Sequence, residues 1–326
     1  MEDFFYRLET FLKERVSRGT FLKICLGGLA AFVSGNAFLK AAFAESPESA
    51  GRPGRKAVCN CDLAAAEGPD PYQNTVKVIA ALGGMEKFVK KGDVVVVKPN
   101  IGWDRGPEQG ANTEPRVVSA LIDMCYKAGA KRVNVFDVTC NDERRCYENS
   151  GIKKAATDSG AQVYFPNHWN IVKAVFPYNS PMKGWPILRD AVECDVFINV
   201  PVLKNHCLTA LTLSIKNLMG VCSGNRGTMH VDIGRKLADL ADFIRPELTV
   251  IDATRVLTRN GPSGGDPADV LAMNKVFASA DAVLADSYAA GLMNIEPLSI
   301  SYIKESTVKG LGMADIARAN VAVFKL

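Results

Sequence analysis

Three lysines lie in otherwise apolar surroundings. Lys98 follows four consecutive valines, and Lys204 and Lys216 interrupt PVLKNHCLTALTLSIKNLMG, residues 201–220. A buried ammonium without a partner is costly, so such residues should reach water or meet something negative. Each has an asparagine beside it or two residues on: Asn100, Asn205 and Asn217. Charge from the lysines and hydrogen bonds from the amides are what holding a small anion requires. His206 and His230 add imidazoles suited to general acid/base work near neutral pH, and with Lys204 they form the candidate catalytic set. Asp137 or Asp252 would orient a histidine or hold a divalent metal. Ser263 and Gly264, in TRNGPSGGDP, supply glycine-rich backbone that can approach a phosphate or carboxylate closely. That stretch lacks the spacing of a Walker loop or a dinucleotide fingerprint.

Each assignment has a plainer competitor. A lysine at a strand end commonly snorkels into solvent. A metal centre needs three or four converging ligands, and His206, His230, Asp137, Asp252 and Cys207 are present only as an unordered set. His168 beside Trp169 reads as structural, and Asp281 as a helix cap.

The elements that position these residues alternate. VKVIAALGGMEKFVKKGD suggests a helix, and DVVVVKPN a strand covered on both faces. EPRVVSALIDMCYKAGA has proline for a first turn, apolar residues at helical spacing and glycine as a stop, and the strand KRVNVFD follows. A helix near residues 149–159, the strands AQVYFP and CDVFINVP, the helix RKLADLADFI, the strand ELTVIDAT and the helix ADAVLADSYAAGLMN continue the pattern. The fold class is therefore α/β, a mostly parallel sheet flanked by helices. In such sheets ligands bind beyond the carboxyl ends of the strands. Lys98 and Asn100, Asp137, Lys204 to His206, and Asp252 all fall at such ends. If residues 205–218 are helical, Asn205, Thr209, Thr212 and Lys216 form one polar stripe; LTLSI also alternates as a strand would.

A chain of 326 residues, 48% hydrophobic and 23% charged, can bury a large core. Its net charge of +4 is too mild to argue for nucleic acid as a partner. The first 44 residues read as an export signal, cleaved after Ala44 at the small-x-small site Ala42-Phe43-Ala44. Within it, Ser17-Arg18-Gly19-Thr20-Phe21-Leu22-Lys23 resembles a twin-arginine translocation motif with Gly19 in place of the second arginine. A periplasmic or otherwise exported location and a transient encounter with export machinery are the expectations. Residues 45–73, rich in Pro, Gly, Ser and Ala, read as a linker, and residues 74–326 as the α/β domain. Eight cysteines remain once Cys25 leaves with the signal. None is spaced as Cys-x-x-Cys, so no self-contained iron-sulfur domain is written in the chain. Cys59 with Cys61, and Cys140 with Cys146, are candidate disulfide partners or ligands, while Cys125 reads as a small buried residue.

KPN after a valine-rich strand, the segment DVFINVPVLKNH, SIKNLMG, the downstream His230, VID followed by GPSGG, and ADAVLAD together resemble the domain-of-unknown-function 362 family. The resemblance runs from about Val94 to the C-terminus. Some members carry an appended ferredoxin-like domain, which is missing here. The expectation is an enzyme binding a small anionic substrate or cofactor through a Lys/His/Asn pocket. The alternatives are a metal or iron-sulfur accessory protein with a redox partner, and a non-catalytic anion-binding module.

Overall fold

The computed structural model describes residues 48–326, so the export signal assigned to residues 1–44 lies outside the described residues. The first half comprises β1 (Glu48–Ser49), β2 (Leu63–Glu67), α1 (Pro71–Leu82), β3 (Val94–Pro99), α2 (Pro115–Lys127), β4 (Arg132–Val135), α3 (Glu143–Asn149), α4 (Ile152–Asp158) and β5 (Gln162–Val163). Next come β6 (Ile171–Ala174), β7 (Pro186–Leu188), α5 (Arg189–Glu193), β8 (Val196–Val200), β9 (Lys204–His206), β10 (Ala210–Thr212) and α6 (Ser214–Asn217). The chain closes with α7 (Ile233–Ile244), β11 (Leu248–Leu257), β12 (Val270–Ser279), α8 (Ala282–Leu292), α9 (Ser301–Val308) and β13 (Val321–Lys325).

Eight strands form the central sheet in the order β13-β2-β12-β11-β8-β3-β4-β5. Every neighbouring pair is parallel except the two made by β12, so the sheet is mostly parallel. The valine run shows why it is covered on both faces. Val95 and Val97 pack with α1 and α2, while Val96 joins the core beneath α7, α8 and α9, as the two-residue period of a strand requires. Lys98, next in that alternation, shares the face of Val96 and points toward α6.

Local signals set the flanking helices. Asp70 caps α1 by accepting from the backbone N–H of Tyr72 and Gln73, Pro71 opens its first turn, and Gly83 ends it at φ 110°. Asp281 caps α8 by accepting from Leu284 N.

Three expectations need correction. Residues 48–73 are not a linker: β2 lies inside the sheet, paired with both β12 and β13. Arg52 is buried and ion-paired with Glu247 at 2.9 Å. Composition misled here because three consecutive alanines read as flexible, although small side chains suit a strand enclosed on both sides. Residues 205–218 are not one helix; β9 and β10 form an antiparallel hairpin that leads into the four-residue α6. Asp252 does not end its strand, since β11 continues to Leu257 past an irregularity between Ala253 and Arg255.

Candidate functional site

Three strand ends build the site. β3 delivers Lys98 and Asn100, the turn after β4 delivers Asp137, and the chain leaving β8 delivers the β9–β10 hairpin and α6. Lys98 and Lys204 are essentially sealed from solvent, and His206, Lys216 and Asn217 are buried. Lys98 pairs with Asp137 at 2.7 Å and donates to the Pro99 carbonyl at 2.9 Å and Asn217 Oδ1 at 3.2 Å. Burial presses its pKa down and Asp137 pulls it back up. Asp137 Oδ2 also accepts from Ile101 N at 2.7 Å.

Asn217 is the hub. Its Oδ1 accepts from Lys98 and from Asn100 Nδ2 at 3.1 Å, and its Nδ2 donates to the Lys98 carbonyl at 3.3 Å and Asn199 Oδ1 at 2.8 Å. Both ends of this amide are therefore occupied inside the protein. Asn100 in turn accepts from Lys204 Nζ at 3.1 Å. Gly220 allows the hub to close, because a Cβ there would stand 1.8 Å from Asp137 Oδ1 and 2.6 Å from Lys98 Nζ. The Lys-Asn-Leu-Met-Gly spacing thus places an amide hub and a close backbone approach on one ion pair.

Lys204 and Lys216 differ from Lys98. Lys204 donates to Asn100 Oδ1 and to the Ala111 carbonyl, and the polar contact of Lys216 is the Met219 thioether at 3.8 Å. Among the described residues neither forms an ion pair. Burial pushes Lys204 down to about 7, helped by the charge of Lys216, and burial pushes Lys216 down to about 8.

His206 Nδ1 accepts from Leu208 N at 3.1 Å, which leaves the proton of the neutral ring on Nε2. Burial and the Lys216, His230 and Lys204 charges push its pKa down to about 3, so it is a neutral donor at pH 7 and not the titrating acid/base the sequence suggests. Its ring stacks on His230 with centroids 6.0 Å apart. His230 Nδ1 lies 3.2 Å from the Gly227 carbonyl, which places that ring's proton on Nδ1 and frees Nε2 as an acceptor. The cluster reaches solvent near Arg226, His230 and the exposed Cys140 and Cys207, all electrostatically coupled to its buried members.

Some expected members sit elsewhere. Asp252 accepts from Glu114 N at 2.7 Å, Thr254 N at 2.9 Å and Thr254 Oγ1 at 2.7 Å, so it braces the start of α2. Burial pushes it up to about 7. Asp137 and Asp252 serve different partners, and among the described residues no three His, Cys, Asp or Glu side chains gather as a metal ion would need. Asn205 Oδ1 accepts from Gly261 N at 3.2 Å and ties the hairpin to the 260–265 loop. Ser263 and Gly264 turn their carbonyls to Arg105. The eight described cysteines are free thiols. A cavity of about 720 Å³ contains none of these lysines; it lies near Cys59, Cys61 and Asp281, toward the amino ends of the parallel strands.

Sequence reasoning gave Asp286, which with Asp281 flanks AVLA, no role. It is fully buried and accepts from Ser214 N at 2.8 Å and Ile215 N at 3.0 Å, holding the start of the short helix that carries Lys216 and Asn217. An acidic residue inside the apolar run of α8 was the available signal.

Residues 95–291 match the model of the family described as Domain of unknown function (DUF362), and the chain belongs to that family. LKNH and IKNLMG both fall inside the match. The chain is 28% identical over 247 residues to thylakoid-associated protein sll1697 of Synechocystis, covering 68% of this chain and 70% of that one. Among solved structures it is similar to the lactate racemase apoprotein of Thermoanaerobacterium thermosaccharolyticum, at TM-score 0.45 and 11% identity, covering 72% of this chain and 57% of that one. A Thermotoga maritima protein gives TM-score 0.36 and 10% identity, covering 69% and 58%. The chain therefore spans less than two thirds of either solved structure.

Proposed function

We propose that this member of the DUF362 family is an enzyme that holds a small anionic substrate or cofactor over Lys204 and Lys216. One observation carries the reading: two buried ammonium groups have no carboxylate bonded to them, while Lys98 beside them has Asp137. A buried cation left unpaired is costly, and a carboxylate or phosphate guest would supply the missing charge. His206 then donates from Nε2 to the guest, and His230, stacked on that ring, is the candidate general base. Lys204, held at about 7, can exchange a proton with a bound ligand near neutral pH.

Calorimetric titration of the full chain with phosphate, sulfate and acetate tests the binding. One site is expected, lost in Lys204→Met and Lys216→Met while the circular dichroism spectrum is kept; affinity unchanged in both variants would refute it. We propose further that residues 1–44 direct export, and a precursor that stays in the cytoplasm after cell fractionation would count against that.

A further inference from the structure

The anion-binding reading leaves one cation beside the lysines without a role. Arg226 begins the 3-10 turn Arg226–His230, on the chain between Gly220 and α7. Its side chain is half-buried. Nη2 donates to the Thr139 carbonyl at 2.5 Å and lies 4.0 Å from Cys140 Sγ, a weak acceptor. Among the described residues no carboxylate pairs with this guanidinium.

Two attachments place Arg226 at the rim of the cluster. On one side is Thr139, which follows Asp137, the partner of Lys98, and Val138, whose N–H donates to the Gly220 carbonyl at 3.1 Å. On the other side the same turn ends at His230, whose ring stacks on His206. The turn thus reaches from the Lys98–Asp137 pair to the two histidines. Burial is the main cause that lowers the pKa values of Lys98 and Lys216, and the Arg226 charge adds to it in both. Asp137 answers Lys98, which leaves Lys204, Lys216 and Arg226 as three basic groups with no carboxylate bonded to any of them.

We propose that Arg226 is the third cation of the lysine site and that the ligand carries a compact, doubly charged group, as a phosphate monoester or a sulfate does. This rests on the anion-binding reading and names its ligand class. A single negative charge answers one of three basic groups, whereas a dianion answers two and spreads its oxygens among all of them. A guanidinium held at one nitrogen by Thr139 still presents N–H groups as a planar fork, which matches two oxygens of a tetrahedral anion; an ammonium supplies charge without that geometry. The lysines therefore set whether an anion binds, and Arg226 sets which anion is preferred.

Calorimetry on the full chain at pH 7 compares two pairs of tetrahedral anions that differ by one charge: sulfate with methanesulfonate, and methyl phosphate with dimethyl phosphate. Each dianion is expected to bind about tenfold or more tighter than its singly charged counterpart, the scale of one further charge-assisted hydrogen bond. Arg226→Gln should lower dianion affinity about tenfold and methanesulfonate affinity far less, and Arg226→Lys should restore only part of the preference. A dianion no tighter than its counterpart, or a preference that Arg226→Gln leaves unchanged, overturns this inference while the lysine site stands, because Lys204→Met then still abolishes binding. Binding of none of the four anions overturns both.

Discussion

Two buried clusters of basic residues in this molecule follow opposite rules. Arg52 is 3% exposed; its guanidinium meets Glu247 and donates to the carbonyls of Ile244 and Arg245 at 3.0 and 3.1 Å. Glu247 in turn accepts from Phe197 N at 2.7 Å. Every charge there is answered within the chain, so the pair fastens residues 48–55 to the sheet. Lys204 and Lys216, at the carboxyl ends of the strands, are as deeply placed but lean on amide, carbonyl and thioether atoms. Under the proposed function, burial alone does not mark a ligand-binding cation; burial without an opposite charge does. Lys98, with its full set of partners, belongs by this criterion to the framework of the site and not to its ligand-facing part.

Substitutions should separate the two clusters, beginning with the framework. Arg52→Ala strands the Glu247 carboxylate and is expected to cost about 3–5 kcal/mol in urea unfolding. Gly220→Ala, which drives a methyl group into the Lys98–Asp137 pair, should cost a comparable amount or prevent folding. Lys204→Met and Lys216→Met should behave oppositely: the ligand-free protein keeps its stability or gains roughly 1–4 kcal/mol, while anion binding disappears. A large loss of stability in these two variants would merge the clusters and remove the distinction.

The pH dependence sharpens it further. A lysine held below its ordinary value of 10.5 contributes stability that is present above that value and lost as pH falls through its folded value. Lys204 at about 7 and Lys216 at about 8 should make the ligand-free protein less stable at pH 7 than at pH 9. Lys204→Met with Lys216→Met should flatten that slope. Affinity for sulfate, whose charge is constant over this range, should fall as pH rises from 7 to 9 because the lysines lose their protons. The smallest effect is expected at Asp286→Asn, which weakens the anchoring of α6 and should cost about 1 kcal/mol of stability and lower sulfate affinity a few-fold.

Much of this was legible in the sequence, and the rest failed for identifiable reasons. The four valines before Lys98 announced a strand enclosed on both sides, and the end of that strand fixed where its lysine would lie. The repeated Lys-Asn pairs marked the segment that folds over it. The hairpin of β9 and β10 was ambiguous because LTLSI satisfies both helical and strand periods, and Tyr302, which donates to the Leu211 carbonyl at 3.0 Å, helps settle it from far along the chain. Asp286 and Gly220 owe their roles to contacts through space. The distinction between Lys98 and its two neighbours depended on which of them Asp137 would reach, which no local pattern records.

Nitrogen-15 NMR of the lysine side chains, titrated with pH in the absence and presence of saturating sulfate, measures the charge deficit at its source. Lys204 and Lys216 are expected to titrate near 7 and 8 without ligand and to move upward toward the ordinary lysine range when sulfate is bound. Two resonances that titrate near 10.5 throughout, or that do not respond to sulfate, would contradict a site built around unanswered positive charge.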